Sequence, residues 1–206
     1  MYNYLISSDD IEALNDKILE INNSYKLDFD VNNYKSIQLC EDVSYDYYQM
    51  FNGTSIKKNW KTLKVKYYED DKELKNGDAP GFNIPVLKQK AFNYLFPLIN
   101  GNVEILTLQL NDETLYGINV LNVIDAIDYD SSVYRTYRDG KRIMAFKKYG
   151  FREDMIKNKN IFKITDLPRG DIFVSEEFYK TIRDNNLEGF KLVLVYDSKD
   201  KGLLNE

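Results

Sequence analysis

The sequence predicts an α+β fold: a mostly antiparallel sheet with hairpins, packed by a few helices. Three observations carry this. Short runs of β-branched and aromatic residues, bounded by Pro, Gly, Asn or Asp, recur along the chain. Asp139-Gly140 stands between two alternating runs, Val133–Arg138 and Lys141–Tyr149. This is the strongest short hairpin signal, because both turn residues tolerate positive φ. Only a few stretches repeat their apolar residues at the 3.6-residue period of a helix.

Taken in order, Tyr2–Ser7 reads as a first strand. Ile11, Leu14, Ile18 and Ile21 then give a helix from about Asp9 to Asn22. Tyr25–Val31 and Ser36–Leu39 read as short strands, and the stretch holding Tyr45, Tyr47 and Tyr48 as loop. Trp60, the single tryptophan, is assigned to the core, because a lone aromatic beside a strand usually packs. Leu63–Tyr68 alternates as a half-buried strand should, Glu69–Asp71 reads as a charged hairpin tip, and Lys75–Asp78 as a turn. Phe82–Leu87 leads into a helix over roughly Lys88–Leu98. Leu87, Ala91, Tyr94, Leu95 and Leu98 share its expected buried face, and Pro97 falls in its last turn. Val103–Leu110 and Leu115–Val123 read as strands joined by a turn at Asn111-Asp112, and Ile124–Asp130 as an acidic connector into the Asp-Gly hairpin.

The stretch 161–196 is the most legible. Strands at Ile161–Ile164, Ile172–Val174 and Phe190–Tyr196 flank one helix. Ser175 is placed as its N-cap, with Glu176 and Glu177 suiting the positive end of the helix dipole. Phe178 and Ile182 share a face, and Asn185, Asn186 and Gly189 supply the stop. In the last strand Phe190, Leu192, Leu194 and Tyr196 point one way and Val193 and Val195 the other, so both faces are expected to be buried.

Composition narrows the chemistry. The 206 residues include no histidine and one cysteine, Cys40. Histidine-based triads, histidine metal sites and a thiolate zinc site are thereby excluded, and no internal disulfide can form. The N-terminus lacks a basic region and a long apolar core, so no signal peptide is expected. No apolar run reaches the ~20 residues of a membrane helix. A cytoplasmic protein is the expectation. The net charge of −5 repels nucleic acid and membranes and is compatible with a basic protein partner.

Carboxylates are the remaining candidates for chemistry. Asp125, Asp128 and Asp130 lie close together in the acidic connector. A carboxylate-dependent hydrolase would need such acids converging in a cleft, with one pKa raised. The plainer reading is a solvated loop with a turn or cap. No phosphate-cradling glycine motif occurs, and no cofactor or metal is expected. The chain holds 17 tyrosines, more than a core needs, and tyrosine is favoured at protein interfaces. Tyr129 and Tyr134 flank the acidic connector.

Several segments, in order, resemble a known family. They are Asn59-Trp60 with Leu63-Lys64-Val65, Ile84-Pro85-Val86-Leu87 with Ala91 and Leu95-Phe96-Pro97-Leu98, and Asn119-Val120 with Asn122–Asp128. The most specific set is Ile161-Phe162, Ile172–Ser175, Phe178 and Leu187–Phe190. Together they resemble the eleventh numbered family of bacterial polymorphic-toxin immunity proteins, over about Trp60 to Tyr196. The family's Ser-x-[Lys/Arg]-Ala stands here as Lys88-Gln89-Lys90-Ala91, which loses a helix cap. The resemblance implies one immunity-type domain over 1–206, with a variable N-terminal part (1–59), a family-like core (60–196) and a polar tail (197–206). It also implies a protein without enzymatic activity that binds and neutralises a cognate toxin domain. It transfers no binding residues. Charge and expected exposure point instead to Glu69, Asp70, Asp71, Asp128, Tyr129 and Asp130 as the surface for a basic toxin. An adaptor or structural protein-binding module shares this surface, and the carboxylate hydrolase is the other alternative.

Overall fold

The computed structural model describes residues 22–40, 49–71 and 73–199. The expected strand at Tyr2–Ser7, nearly all of the expected first helix, and the stretch holding Tyr45, Tyr47 and Tyr48 lie outside these residues.

The described residues form two five-stranded sheets and one hairpin. The first sheet runs in the order β12-β1-β11-β10-β7, built from β12 (Phe190–Tyr196), β1 (Ser24–Phe29), β11 (Phe173–Ser175), β10 (Ile161–Ile164) and β7 (Val123–Ile124). The second runs β2-β3-β5-β6-β4, built from β2 (Ile37–Leu39), β3 (Leu63–Tyr67), β5 (Val103–Leu110), β6 (Glu113–Val120) and β4 (Val86–Leu87). Most pairings are antiparallel. The exceptions are β10 with β7 and β3 with β5. The hairpin pairs β8 (Val133–Thr136) with β9 (Ile143–Lys148). Among the described residues the α-helices are α1 (Gln89–Ile99), a single turn α2 (Glu153–Ile156) and α3 (Glu176–Asp184). The predicted α+β class is what the structure shows.

Period-two alternation divides the strands' side chains among three cores. Ile105, Ile118 and Val120 of the second sheet join Tyr25, Ile161 and Val174 of the first in a central core. Helices α1 and α3 close that core with Ala91, Leu95 and Ile99, and with Phe178 and Ile182. On the far side of the second sheet, Leu106, Leu108, Leu110 and Leu115 pack with Phe51, Ile56 and the half-buried Trp60. The indole N–H of Trp60 donates to the Thr107 carbonyl (3.0 Å), which satisfies its one polar atom. On the far side of the first sheet, Phe162, Phe173 and Tyr196 meet Phe146, Tyr149 and Phe151 in an aromatic core with several edge-to-face pairs. This third core is what seats the hairpin.

Several expectations need correction. Tyr94 is exposed, and the buried face of α1 is Ala91, Leu95 and Ile99. The strand expected over Leu115–Val123 begins at Glu113, ends at Val120, and is followed by the separate two-residue β7. Tyr196 does not share a core with Leu194. The register between β1 and β12 shifts at Ser24/Tyr25, and the bulge turns Tyr196 into the third core beside Val195. Glu69–Asp71 is not a hairpin tip but a 3₁₀ turn leaving β3, whose sheet neighbours are β2 and β5. The Asp-Gly hairpin forms with a longer connection than a two-residue turn. Tyr137 N–H donates to the Arg142 carbonyl (2.9 Å), and of the central pair only Gly140 takes positive φ (66°).

Candidate functional site

Among the described residues, the hairpin and the connector leading into it gather three exposed tyrosines, Tyr129, Tyr134 and Tyr137. Asp128 builds the connector's turn. One carboxylate oxygen accepts the Asp130 N–H (3.1 Å) and the other the Ser131 hydroxyl (2.6 Å). The Ser132 hydroxyl donates to the Asp128 carbonyl (2.6 Å) and accepts the Gly150 N–H (2.9 Å). Gly150 is needed here, since a Cβ would meet the Ser131 hydroxyl oxygen at 2.0 Å.

This turn holds Tyr129 and Asp130 outward. Tyr129 is 47% exposed and packs edge-on against Tyr134 with ring centroids 5.7 Å apart. Its hydroxyl donates to Asp166, and that carboxylate pushes the phenol up to about 12. Val133, Tyr134, Tyr137 and Met144 continue the exposed apolar surface along the hairpin. The hairpin carries Arg135, Arg138, Lys141, Arg142, Lys147 and Lys148 against the single acid Asp139. A basic, tyrosine-rich surface therefore adjoins the acidic connector of a chain whose net charge is −5. Asp139 is spent on the turn. It accepts from the Arg142 guanidinium (2.7 Å) and from two backbone N–H groups, which hold its carboxyl down at about 2.

The six residues expected to meet a partner fall in two places and in two kinds. Glu69, Asp70 and Asp71 lie past β3 of the second sheet, whereas Asp128, Tyr129 and Asp130 lie between β7 and the hairpin. Among the described residues no hydrogen bond or ion pair joins the two groups. Asp71 accepts the Ser36 N–H (2.7 Å) and so fixes the entry to β2, as Asp128 fixes its own turn. Glu69, Asp70 and Asp130 are exposed. Sequence reasoning gave no role to Val133, Tyr137 and Met144. Alternation gave no signal for Met144, which shares a strand face with the buried Phe146 and is exposed all the same.

The connector's acids also border a cavity of about 300 Å³, lined by Asp128, Ser131, Phe151, Arg152, Glu153, Asp154 and Tyr196. Asp128 is committed as described, and Glu153 accepts the Tyr196 hydroxyl (3.1 Å). Asp125 forms an ion pair with Arg152 (3.0 Å) outside this set. Among the described residues no helix is long and apolar enough to cross a membrane.

Compared with known families, residues 108–197 match the model of the Immunity protein family (Imm11). This is the family that the sequence resembles. The matched stretch runs from within β5 to just past β12, and takes in the acidic connector, the hairpin and α3. No curated protein matches the chain.

Proposed function

From the match of residues 108–197 to the immunity family, we propose that this protein is an immunity protein. It binds a toxin domain made by the same cell, in the cytoplasm, and neutralises it without catalysis. The family match is the observation that carries this reading. The exposed tyrosines support it, because large, rigid, amphipathic side chains are favoured where proteins meet.

The surface follows from exposure and charge. Glu69, Asp70 and Asp130 meet the toxin's cations, Tyr129 supplies contact area, and Asp71 and Asp128 hold the backbone that presents them. A basic toxin suits these acids through steering and partly desolvated charge pairs. The hairpin's cations would oppose a uniformly basic partner, so contact centres on the connector and the Glu69–Asp71 turn.

The test is co-purification with the toxin encoded beside this protein, followed by affinity measurement on variants. Glu69→Lys, Asp70→Lys and Asp130→Lys together should weaken binding by about 100-fold, through lost attraction and added repulsion. A stable complex with unchanged affinity in the triple variant would move the surface elsewhere and leave the role standing. Absence of any complex would favour an adaptor with a different partner.

A further inference from the structure

The toxin surface proposed above leaves the hairpin β8–β9 without a partner. Two features set this hairpin apart. The first is exposure. Among the described residues nine large apolar or tyrosine side chains are exposed, and five of them stand together: Tyr129, Val133, Tyr134, Tyr137 and Met144. Single exposed apolar residues need no explanation, whereas a cluster marks a contact surface. The second is charge. The hairpin holds six cations, and its only acid, Asp139, is paired with Arg142 inside the turn (2.7 Å). Arg135, Arg138, Lys141 and Lys147 are exposed and have no ion pair among the described residues. The surface thus carries the sign opposite to that of the chain as a whole, whose net charge is −5.

We propose that the hairpin is a second docking surface, separate from the acidic one, and that it takes an acidic segment of a protein in which carboxylates are interspersed with aliphatic or aromatic side chains. The carboxylates meet Arg135, Arg138, Lys141 and Lys147, and each arginine can grip one with two parallel hydrogen bonds. The partner's apolar side chains cover Val133, Tyr137 and Met144 and keep water away from the charge pairs.

A nucleic acid would match the charge alone. Its bases need open ring faces to stack on. Here Tyr134 packs against Tyr129 edge-on (5.7 Å between centroids) and against Phe146 (5.8 Å), and the Arg142 guanidinium lies over the Tyr137 ring (5.1 Å). A long polyanion would also run onto Asp125, Asp128 and Asp130 of the adjoining connector.

Fluorescence polarisation on the full chain tests this with three labelled probes of equal charge. They are a short peptide of glutamates interspersed with leucine and phenylalanine, an oligoglutamate, and a single-stranded DNA oligonucleotide. Saturable binding of the mixed peptide is expected, with oligoglutamate and DNA each about tenfold weaker. Arg135→Glu with Lys147→Glu should weaken the mixed peptide at least about tenfold, through lost attraction and added repulsion. Tyr137→Ala with Met144→Ala should bring it down to the affinity of oligoglutamate. All four positions are exposed, and circular dichroism checks that both variants fold. No saturable binding of the mixed peptide, or binding unchanged by the charge reversal, would overturn the proposal. So would oligoglutamate binding equally well, which would leave only a charged patch, or DNA binding as tightly as the mixed peptide, which would make this a nucleic-acid surface. No probe contains a toxin, so failure here leaves the immunity reading standing.

Discussion

Glu104 shows how one side chain can hold two parts of the fold together. From β5 its carboxylate accepts from the Ser55 hydroxyl, from the N–H groups of Ile56 (2.9 Å) and Lys57 (3.3 Å), and from Asn119 (3.1 Å). Burial pushes its pKa up, but these four donors outweigh burial and hold it below the ordinary carboxylate value. Its contribution is therefore present above the unfolded-state pKa and is lost on acidification through the lower folded value. Glu104→Ala should cost about 2–3 kcal/mol in urea unfolding at neutral pH, because it frees the 54–57 loop and strands Asn119. Lys163, whose buried ammonium donates to the carbonyls of Phe51 (2.8 Å) and Pro168 (3.1 Å) and titrates low because of that burial, shifts stability in the same direction, but at higher pH. Between about 8, its folded value, and the 10.5 of an exposed lysine, the folded protein holds fewer protons than the unfolded chain, so stability rises with pH. Above 10 the trend reverses. Tyr25, Tyr149 and Tyr196 are kept neutral by burial, so only the unfolded chain ionises there. Chemical denaturation from pH 7 to 11 should show a maximum near 10, and Lys163→Met should remove the rise below it. Neither role was legible in the sequence, since each depends on carbonyls and amides brought in from loops far along the chain.

At the scale of elements, the stretch from β10 to β12 is the best example of local signals sufficing. The Ser175 hydroxyl oxygen accepts the Phe178 N–H (3.2 Å) as the N-cap of α3, Phe178 and Ile182 are buried, and Asn186 and Gly189 take the positive φ that ends the unit. Each of these features is a short-range preference. Ser175→Ala should lower stability by about 1 kcal/mol in thermal unfolding, with part of the loss coming from the bond it donates to Asn160 (2.7 Å). Gly189→Ala should cost more, about 3 kcal/mol, because φ is +94° and the new Cβ would stand 2.5 Å from the Ala79 carbonyl oxygen. What the periodicity missed follows from tertiary structure. Tyr94 lies at a helical position that would be apolar-facing, yet neither sheet reaches it. Tyr196 changes core through a bulge that is defined only by its partner β1. The Asp-Gly pair marked the hairpin but not its turn, because Asp139 accepts two backbone N–H groups and so stabilises a longer connection.

For the whole molecule, fold class was readable because strand runs and turn residues repeat along the chain, whereas the pairing of β3 with β5 and of β10 with β7 was not. Parallel pairs join distant segments and leave no local mark. The candidate surface was legible as charge, and the structure divides its members by what they do. Asp71 and Asp128 hold backbone, while Glu69, Asp70 and Asp130 face outward. Neutralisation of a toxin by this chain, the proposed role, is read out by growth rescue. A candidate toxin encoded by a neighbouring gene is expressed in a sensitive host, alone and with this chain. Growth should be lost with the toxin alone and restored to the uninduced rate when both are present. Toxicity unchanged by this chain at matched expression would rule out the immunity role.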